Sequence, residues 1–369
     1  MMRSYQYFAP GRINLIGEHL DYNGGIVLPA ALTLGIRLTL TPRNDNTITL
    51  RSASHTETVQ VNVADEWSYD TAYQWCNYPL GVLALMKQEG FDIPACDLYY
   101  TSDLPEGAGL SSSAAIEVVT AFALLHYTGN HFDRVWLANF CCEVENNYIG
   151  VQCGIMDQYT VALGKKDHAL QIDCRNLKHA YVPAGLQDYQ WLVMNTNKPR
   201  SLVRSEYNIR RQECERALKA LQYINSSIST LCDASVHMLP LLPDEVIRRR
   251  ARHVINEQKR VKDAIESLQK NDINSLGRLL NESHASLRDD YEVTGFELDT
   301  LVNAAQSSEG CAGARMTGAG FGGCAIALVH RDACTELIKR VGEEYKRKTG
   351  LTATFYQTGI GDGVHAIFA

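Results

Sequence analysis

The chain has 369 residues, 45% hydrophobic and 21% charged, which is ordinary for a water-soluble enzyme and long enough for two domains with cores of their own. Its formal net charge of −7 speaks against a nucleic-acid binder, which would carry a basic footprint, and no apolar run is long and uncharged enough to span a bilayer. The run Arg248–Arg250 does not change this, because it lies on a predicted helix rich in both signs of charge and reads as a solvated face.

The eleven cysteines show no Cys-x-x-Cys spacing, and several, such as Cys141, Cys142 and Cys324, sit in apolar runs. Together with the absence of a secretory apolar segment after Met1, this points to buried free thiols in a reducing cytoplasm.

In chain order, residues 35–63 read as antiparallel strands. Ile36, Leu38 and Leu40 alternate with Arg37, Thr39 and Thr41, and Asn44–Asn46 makes a turn. Asp97–Asp103 reads as another strand. Helices are predicted over 111–127, 133–148 and 155–163. Ala169–Cys174 and Trp191–Asn195 are strand-like. Residues 204–223 and 244–270 are helical, the latter with Val246, Ile247, Ala251, Val254, Ile255 and Val261 at helical spacing. A helix over 296–307, a strand at Cys324–Val329, a helix over 332–348 and a terminal strand pair complete the chain. Strands gather early in each half and helices dominate between them, which is an α+β pattern of mixed or antiparallel sheets. The boundary is expected where Gly164–Asp167 breaks a helix, giving domains 1–166 and 167–369.

Four segments carry the chemistry. Ala9–Gly25 packs Arg12, Glu18, His19 and Asp21 into a window with four glycines. Such side chains read sugar hydroxyls, which need both donors and acceptors; a polar loop with a capped turn would account for one charged residue, and less well for the whole window. Ser102–Ala115 is a glycine-rich loop opening an apolar helix. Gly107 and Gly109 let backbone approach a ligand, and the first helical turn, with Leu110, Ser111, Ser112 and Ser113, offers free N–H groups and a positive dipole end that suit a phosphate. No Lys-Ser/Thr pair follows the last glycine, so this is not a Walker A loop. The serines could equally cap the helix. In Cys153–Gln158, Asp157 stands at a predicted helix start, as an N-cap or a functional carboxylate. Thr317–Cys324 is a second glycine-rich turn before a strand, the wrong order for a dinucleotide fingerprint.

Taken in this order, the four segments resemble the GHMP kinase superfamily, and within it the galactokinases. The first segment is the specific one; the phosphate loop and the C-terminal glycine motif are shared with mevalonate and homoserine kinases. The resemblance implies two α+β domains with the active site in the cleft between them. It implies phosphorylation of α-D-galactose by ATP at the C1 hydroxyl, giving galactose 1-phosphate and ADP in the Leloir pathway.

By motif position, it implies Asp157 as base and Arg12 as its partner, with Glu18, His19, Asp21, Gly154 and Tyr207 holding the sugar. Gly107, Gly109, Leu110, Ser111, Ser112 and Ser113 would bind ATP, and Trp75 and Asn77 would line the adenine. Ser113 and Glu145 would coordinate Mg²⁺. Arg12 would also clamp charge on the transferring phosphoryl group, while Asp157 accepts the proton late. A monomer or weak homodimer acting only on small molecules is expected. Related sugar 1-kinases, acting on N-acetylgalactosamine, galacturonate or arabinose, and non-catalytic galactose sensors carry similar motifs.

Overall fold

The structure, a computed structural model, describes residues 3–105, 107–151, 153–199 and 203–367. In chain order it begins with β1 (Tyr5–Asn14), β2 (Ile26–Val27), β3 (Pro29–Pro42), β4 (Thr47–Ser52) and β5 (Val59–Asn62). There follow α1 (Asn77–Gln88), β6 (Cys96–Ser102), α2 (Ser112–Thr128), α3 (Arg134–Glu143) and α4 (Met156–Leu163). The second half runs β7 (His168–Asp173), β8 (Lys178–Pro183), β9 (Tyr189–Asn195), α5 (Val203–Ile224), α6 (Glu245–Gln269) and α7 (Ile273–Ser286). It closes with α8 (Phe296–Gln306), β10 (Cys311–Thr317), β11 (Cys324–His330), α9 (Cys334–Thr349), β12 (Thr354–Thr358) and β13 (His365–Ile367).

These strands form a six-stranded sheet of order β13-β1-β3-β6-β4-β5, a four-stranded sheet β10-β11-β9-β12 and a three-stranded sheet β2-β7-β8. Every pairing is antiparallel except β4 with β6. The α+β reading therefore holds, with mixed and antiparallel sheets. Two pairings cross the expected boundary at 166/167: β13 returns to β1, and β2 joins β7.

Local chemistry explains the central elements. In β3 the alternation noted above puts Ile36, Leu38 and Leu40 in the core and leaves Arg37 exposed. Helix α2 is almost wholly apolar apart from Glu117 and Thr120, and Ala114–Leu125 is buried along its whole length against β1 and β3.

Several expectations are corrected. The sugar window is not a polar loop throughout, since Ala9–Asn14 is a buried strand. Pro10 and Gly11 break its register with β3, and this bulge re-aims Arg12. The helix expected over 133–148 stops at Glu143 and continues as a wider π turn, Val144–Ile149. The terminal strands do not pair with each other: β12 joins β9 while β13 joins β1. Helices α1 and α7 and strand β10 are elements that periodicity alone did not predict.

One close approach locks the second half. Gly277 of α7 faces β10 so tightly that a β-carbon there would collide with the Ala312 carbonyl, and one on Gly313 would collide with the Gly277 backbone. Gly277→Ala should gain up to about 1 kcal/mol of helix propensity. It should lose more to a clash with backbone that cannot move aside, for a net destabilisation of about 1–3 kcal/mol. Thermal unfolding checks this, and an unchanged or higher Tm would show that the helix shifts freely on the sheet.

Candidate active site

Arg12 is the hub. Its Nε and Nη2 donate to the two carboxylate oxygens of Asp157, each at 2.8 Å, a bidentate fork. Its Nη1 donates to the Gly109 carbonyl at 2.7 Å, and its backbone N–H donates to the Leu110 carbonyl at 3.1 Å. Arg12 is buried, whereas the Asp157 side chain is 28% exposed and opens onto a cavity.

Asp157 lies in the first turn of α4, whose N-cap position is Ile155, so the capping role is excluded. Ser111 is at the N-cap position of α2 but makes no side-chain cap bond. It adopts φ 65°, in the left-handed region, and its hydroxyl donates to Asp157 Oδ2 at 2.5 Å. The serine cap expected there is thus replaced by a bond to the carboxylate, and the N–H groups at the start of α2 are not closed off by Ser111.

A cavity of about 440 Å³ is lined by Arg12, Glu18, His19, Asp21, Cys153, Gly154, Asp157 and Tyr207, together with Asn208, Gly318 and Ala319. It gathers every sugar residue named from the resemblance. Glu18 accepts from Gly318 N–H at 2.6 Å and from the Asn14 side-chain amide. Burial pushes its carboxyl above the usual range, although Arg315, Gly318 and Asn14 act against this. Burial, reinforced by the charges of Asp157 and Glu18, lifts Asp21 to about 6. Burial lowers His19 to about 3, so its ring is neutral at physiological pH. A β-carbon on Gly154 would sit 2.6 Å from Asp21 Oδ2, so a side chain there would push the Asp21 carboxylate aside.

A second cavity, of about 300 Å³, is lined by Ser52, His55, Trp75, Tyr78, Tyr100, Gly107, Ser112 and Ser113. Trp75 meets His55 in a stacked arrangement at 5.7 Å and Tyr100 edge-on at 5.6 Å. The aromatic walls beside the glycine loop suit a planar base. Asn77, paired with Trp75 in the sequence reading, does not line this cavity. It is buried, and its amide closes the preceding turn through the Asp70 and Gln74 carbonyls at 2.7 and 3.0 Å while accepting from Asp70 N–H.

The Glu145 carboxylate accepts from Gln158 at 2.6 Å and from Cys153 Sγ at 3.5 Å, and the nearby Ser113 side chain acts to lower its pKa. Burial first, and then the Asp157 charge, raise Glu145. Burial and Glu145 raise the neighbouring Glu117 well above its normal value, and its Oε1 has no partner among the described residues. Buried carboxylates in surplus beside a hydroxyl form an oxygen donor set suited to a hard divalent cation.

The sequence reading missed Arg315, Asn14 and Thr317, which tie the sugar loop to β10. A lone arginine inside the small apolar strand Ala314–Met316 was the available signal, because a charge in a buried strand needs partners. It also missed His55, Tyr78 and Tyr100 around the second cavity, which no spacing links.

Similarity to known proteins agrees with this layout. Residues 3–42 match the galactokinase galactose-binding signature, residues 77–165 the GHMP kinases N-terminal domain and residues 264–347 the GHMP kinases C-terminal domain. The chain is 45% identical over 363 residues to a galactokinase of Halalkalibacterium halodurans, covering 97% of this chain and 92% of that protein. It is 46% identical over 366 residues to one of Staphylococcus carnosus, covering 98% and 94%. The crystal structure of Lactococcus lactis galactokinase complexed with galactose superposes with TM-score 0.91 at 40% identity, covering 99% of this chain and 95% of that one. Methanococcus jannaschii mevalonate kinase, at 18% identity, shares the fold with TM-score 0.74 over 98% and 99% of the two chains. The chain belongs to the galactokinase family of GHMP kinases and is a sugar kinase.

Proposed function

We propose that the protein transfers the γ-phosphoryl group of ATP to the C1 hydroxyl of α-D-galactose, releasing galactose 1-phosphate and ADP as an entry step of galactose catabolism. The observation that carries this reading is the Arg12–Asp157 fork: it faces the sugar-lined cavity while being bonded to Gly109 and Ser111 of the glycine loop. Galactose in the Lactococcus lactis complex supports the sugar assignment.

In this mechanism Glu18, His19, Asp21 and Tyr207 bind the sugar hydroxyls and exclude water. Asp157 orients the C1 hydroxyl and accepts its proton late, as the new O–P bond forms and the bond from the γ-phosphorus to the ADP oxygen breaks. Arg12 stabilises the charge moving across the phosphoryl group. Gly107–Ser113 and the start of α2 cradle the phosphates, and Trp75 with Tyr100 and His55 stacks the base. Ser113 and Glu145 would hold Mg²⁺, which when bound neutralises phosphate charge. A cytoplasmic enzyme acting on small molecules fits this reading, and no helix among the described residues is long and apolar enough to cross a membrane.

The direct test is ADP release by the purified protein with Mg-ATP and a sugar panel. Galactose should exceed N-acetylgalactosamine in kcat/KM by at least about 100-fold, the scale of discrimination a shaped polar pocket achieves. A preference for the acetylated sugar would overturn the assignment. Asp157→Asn keeps the shape but cannot take a proton, and should lower kcat by about 10²–10⁴-fold with little change in galactose KM. Near-normal turnover would remove Asp157 as base.

The raised Asp21 also sets a pH dependence. Its carboxylate, the acceptor for a sugar hydroxyl, is lost as pH falls through about 6. Galactose KM should therefore climb below that pH and stay flat above it, and Asp21→Asn should abolish the inflection. An inflection that survives in the Asn variant would belong to another group.

A further inference from the structure

The second cavity takes its shape from a strained turn. Two of its lining aromatics, Trp75 and Tyr78, flank the junction between a short 3₁₀ stretch, Thr71–Cys76, and α1. Just before Trp75, Gln74 lies at φ 45°, ψ −121°, the conformation of the first central residue of a type II′ turn, which glycine normally fills. With a side chain this conformation is strained, and it persists only where the surroundings impose it. The Gln74 side chain is exposed, so its own packing does not hold it there.

Asn77 supplies the hold. It is buried and is the first residue of α1, a helix buried from Pro79 to Ala84. Its side-chain amide donates to the Asp70 carbonyl at 2.7 Å and to the Gln74 carbonyl at 3.0 Å, and its Oδ1 accepts from Asp70 N–H at 3.1 Å. All three partners are backbone groups, so the sense of each bond is fixed: a carbonyl only accepts and an N–H only donates. The Gln74 carbonyl also receives the Asn77 backbone N–H. That carbonyl belongs to the peptide that joins Gln74 to Trp75, so fixing it fixes ψ of the strained residue and the direction in which Trp75 leaves the chain. The Trp75 ring then stacks on His55 at 5.7 Å and meets Tyr100 edge-on at 5.6 Å.

Resting on the placement of the nucleotide base given above, we propose that Asn77 is a positioning residue for ATP: by holding the Gln74 carbonyl it keeps the strained turn closed and so aims Trp75 at the base. Asn77 itself lies outside the wall of the cavity and touches no nucleotide. The sugar cavity is lined by other segments, around Arg12–Asp21, Val151–Asp157, Tyr207 and Gly318, so the effect of Asn77 belongs to the nucleotide and not to galactose.

The test sets ATP KM against galactose KM and reads binding separately through Trp75 emission. Mg-ADP should quench the tryptophan fluorescence of the wild type, and the quench should vanish in Trp75→Phe, in which Trp67, Trp136 and Trp191 remain. Asn77→Ala should raise ATP KM, and the Mg-ADP Kd read from the quench, roughly tenfold, as follows if the closed turn falls to about a tenth of the population, with galactose KM and kcat within about threefold of wild type. Gln74→Gly, added to Asn77→Ala, removes the strain and should bring ATP KM back to within about threefold of wild type. Asn77→Asp keeps the shape and the bond from Asp70 N–H but sets an oxygen against both carbonyls. It should weaken nucleotide binding at least as much, and serves if Asn77→Ala does not fold.

An unchanged ATP KM in Asn77→Ala, a parallel rise in galactose KM, or no recovery on adding Gln74→Gly would each overturn the proposal. A wild type whose Trp75 emission ignores Mg-ADP would overturn the placement of the base and the proposal with it. Mg-ADP binding without phosphorylation of galactose would instead overturn the reaction alone, and the quench titrations would still decide the role of Asn77.

Discussion

The arrangement depends on one fully buried cation. Arg315 projects from β10 and donates through Nη1 to the carbonyls of Asn14 and Leu15, at 3.1 and 3.0 Å, where β1 gives way to the sugar loop. It lies 3.7 Å from Glu18 and 4.0 Å from Glu257. Glu257 in turn accepts from Gly17 N–H and the Ser283 hydroxyl. Burial alone would raise Glu257, but Arg260, His253 and Arg315 outweigh it and hold the carboxyl near 2. A buried charge that loses its partners costs about 3–5 kcal/mol, so these groups keep one another in place. Around them Thr317 accepts from Asn14 N–H and donates back to the Asn14 carbonyl, and Glu18 receives Gly318 N–H. The sugar loop is thereby fastened to the second glycine turn, although some 300 residues of chain separate Asn14 and Glu18 from Thr317 and Gly318.

This fastening brings two glycine turns face to face. A β-carbon on Gly318 would come within 3.4 Å of the Gly109 carbonyl, the same oxygen that Arg12 Nη1 holds. The three glycine-containing segments thus meet around one guanidinium, and glycine is favoured at Gly318 by its φ of 85°. Charge follows the same logic. Burial and the charges of Glu145 and Asp157 raise Glu117, burial and Asp157 raise Glu145, and Arg12 is the cation that engages Asp157 directly. Such a site is electrostatically incomplete without a positively charged visitor.

How much of this was legible in the sequence varied with the kind of signal. Strand β3 could be read because one face is buried and the other is not, so Ile36, Leu38 and Leu40 alternate cleanly. Strand β10 could not, because its small residues are buried on both faces and carry no period. Strand β1 was hidden by Pro10 and Gly11, which read as breakers although here they build a bulge. Helix α7 was hidden by Gly277, which packs on the Ala312 backbone, and by Ser283 and His284, polar residues buried against Glu257 and the Met316 N–H. At the site, resemblance located the carboxylates and the glycine loop, but adjacency misled at Asn77. Trp75 and Asn77 flank a tight turn, so one side chain reaches the cavity and the other turns back to satisfy the turn's own carbonyls.

The return of β13 to β1 has a consequence for how the chain is made. β1, with Arg12 at its end, leaves the ribosome long before His365–Ile367. Until β13 emerges, therefore, β1 has a partner on its β3 side and bare N–H and C=O groups on the other. An unpaired edge of that kind invites association with another nascent chain. The proline and glycine within β1, besides aiming the arginine, lie just past the Gln6–Phe8 stretch that β13 takes up, so the same bulge shortens the flat edge open to such association until β13 arrives.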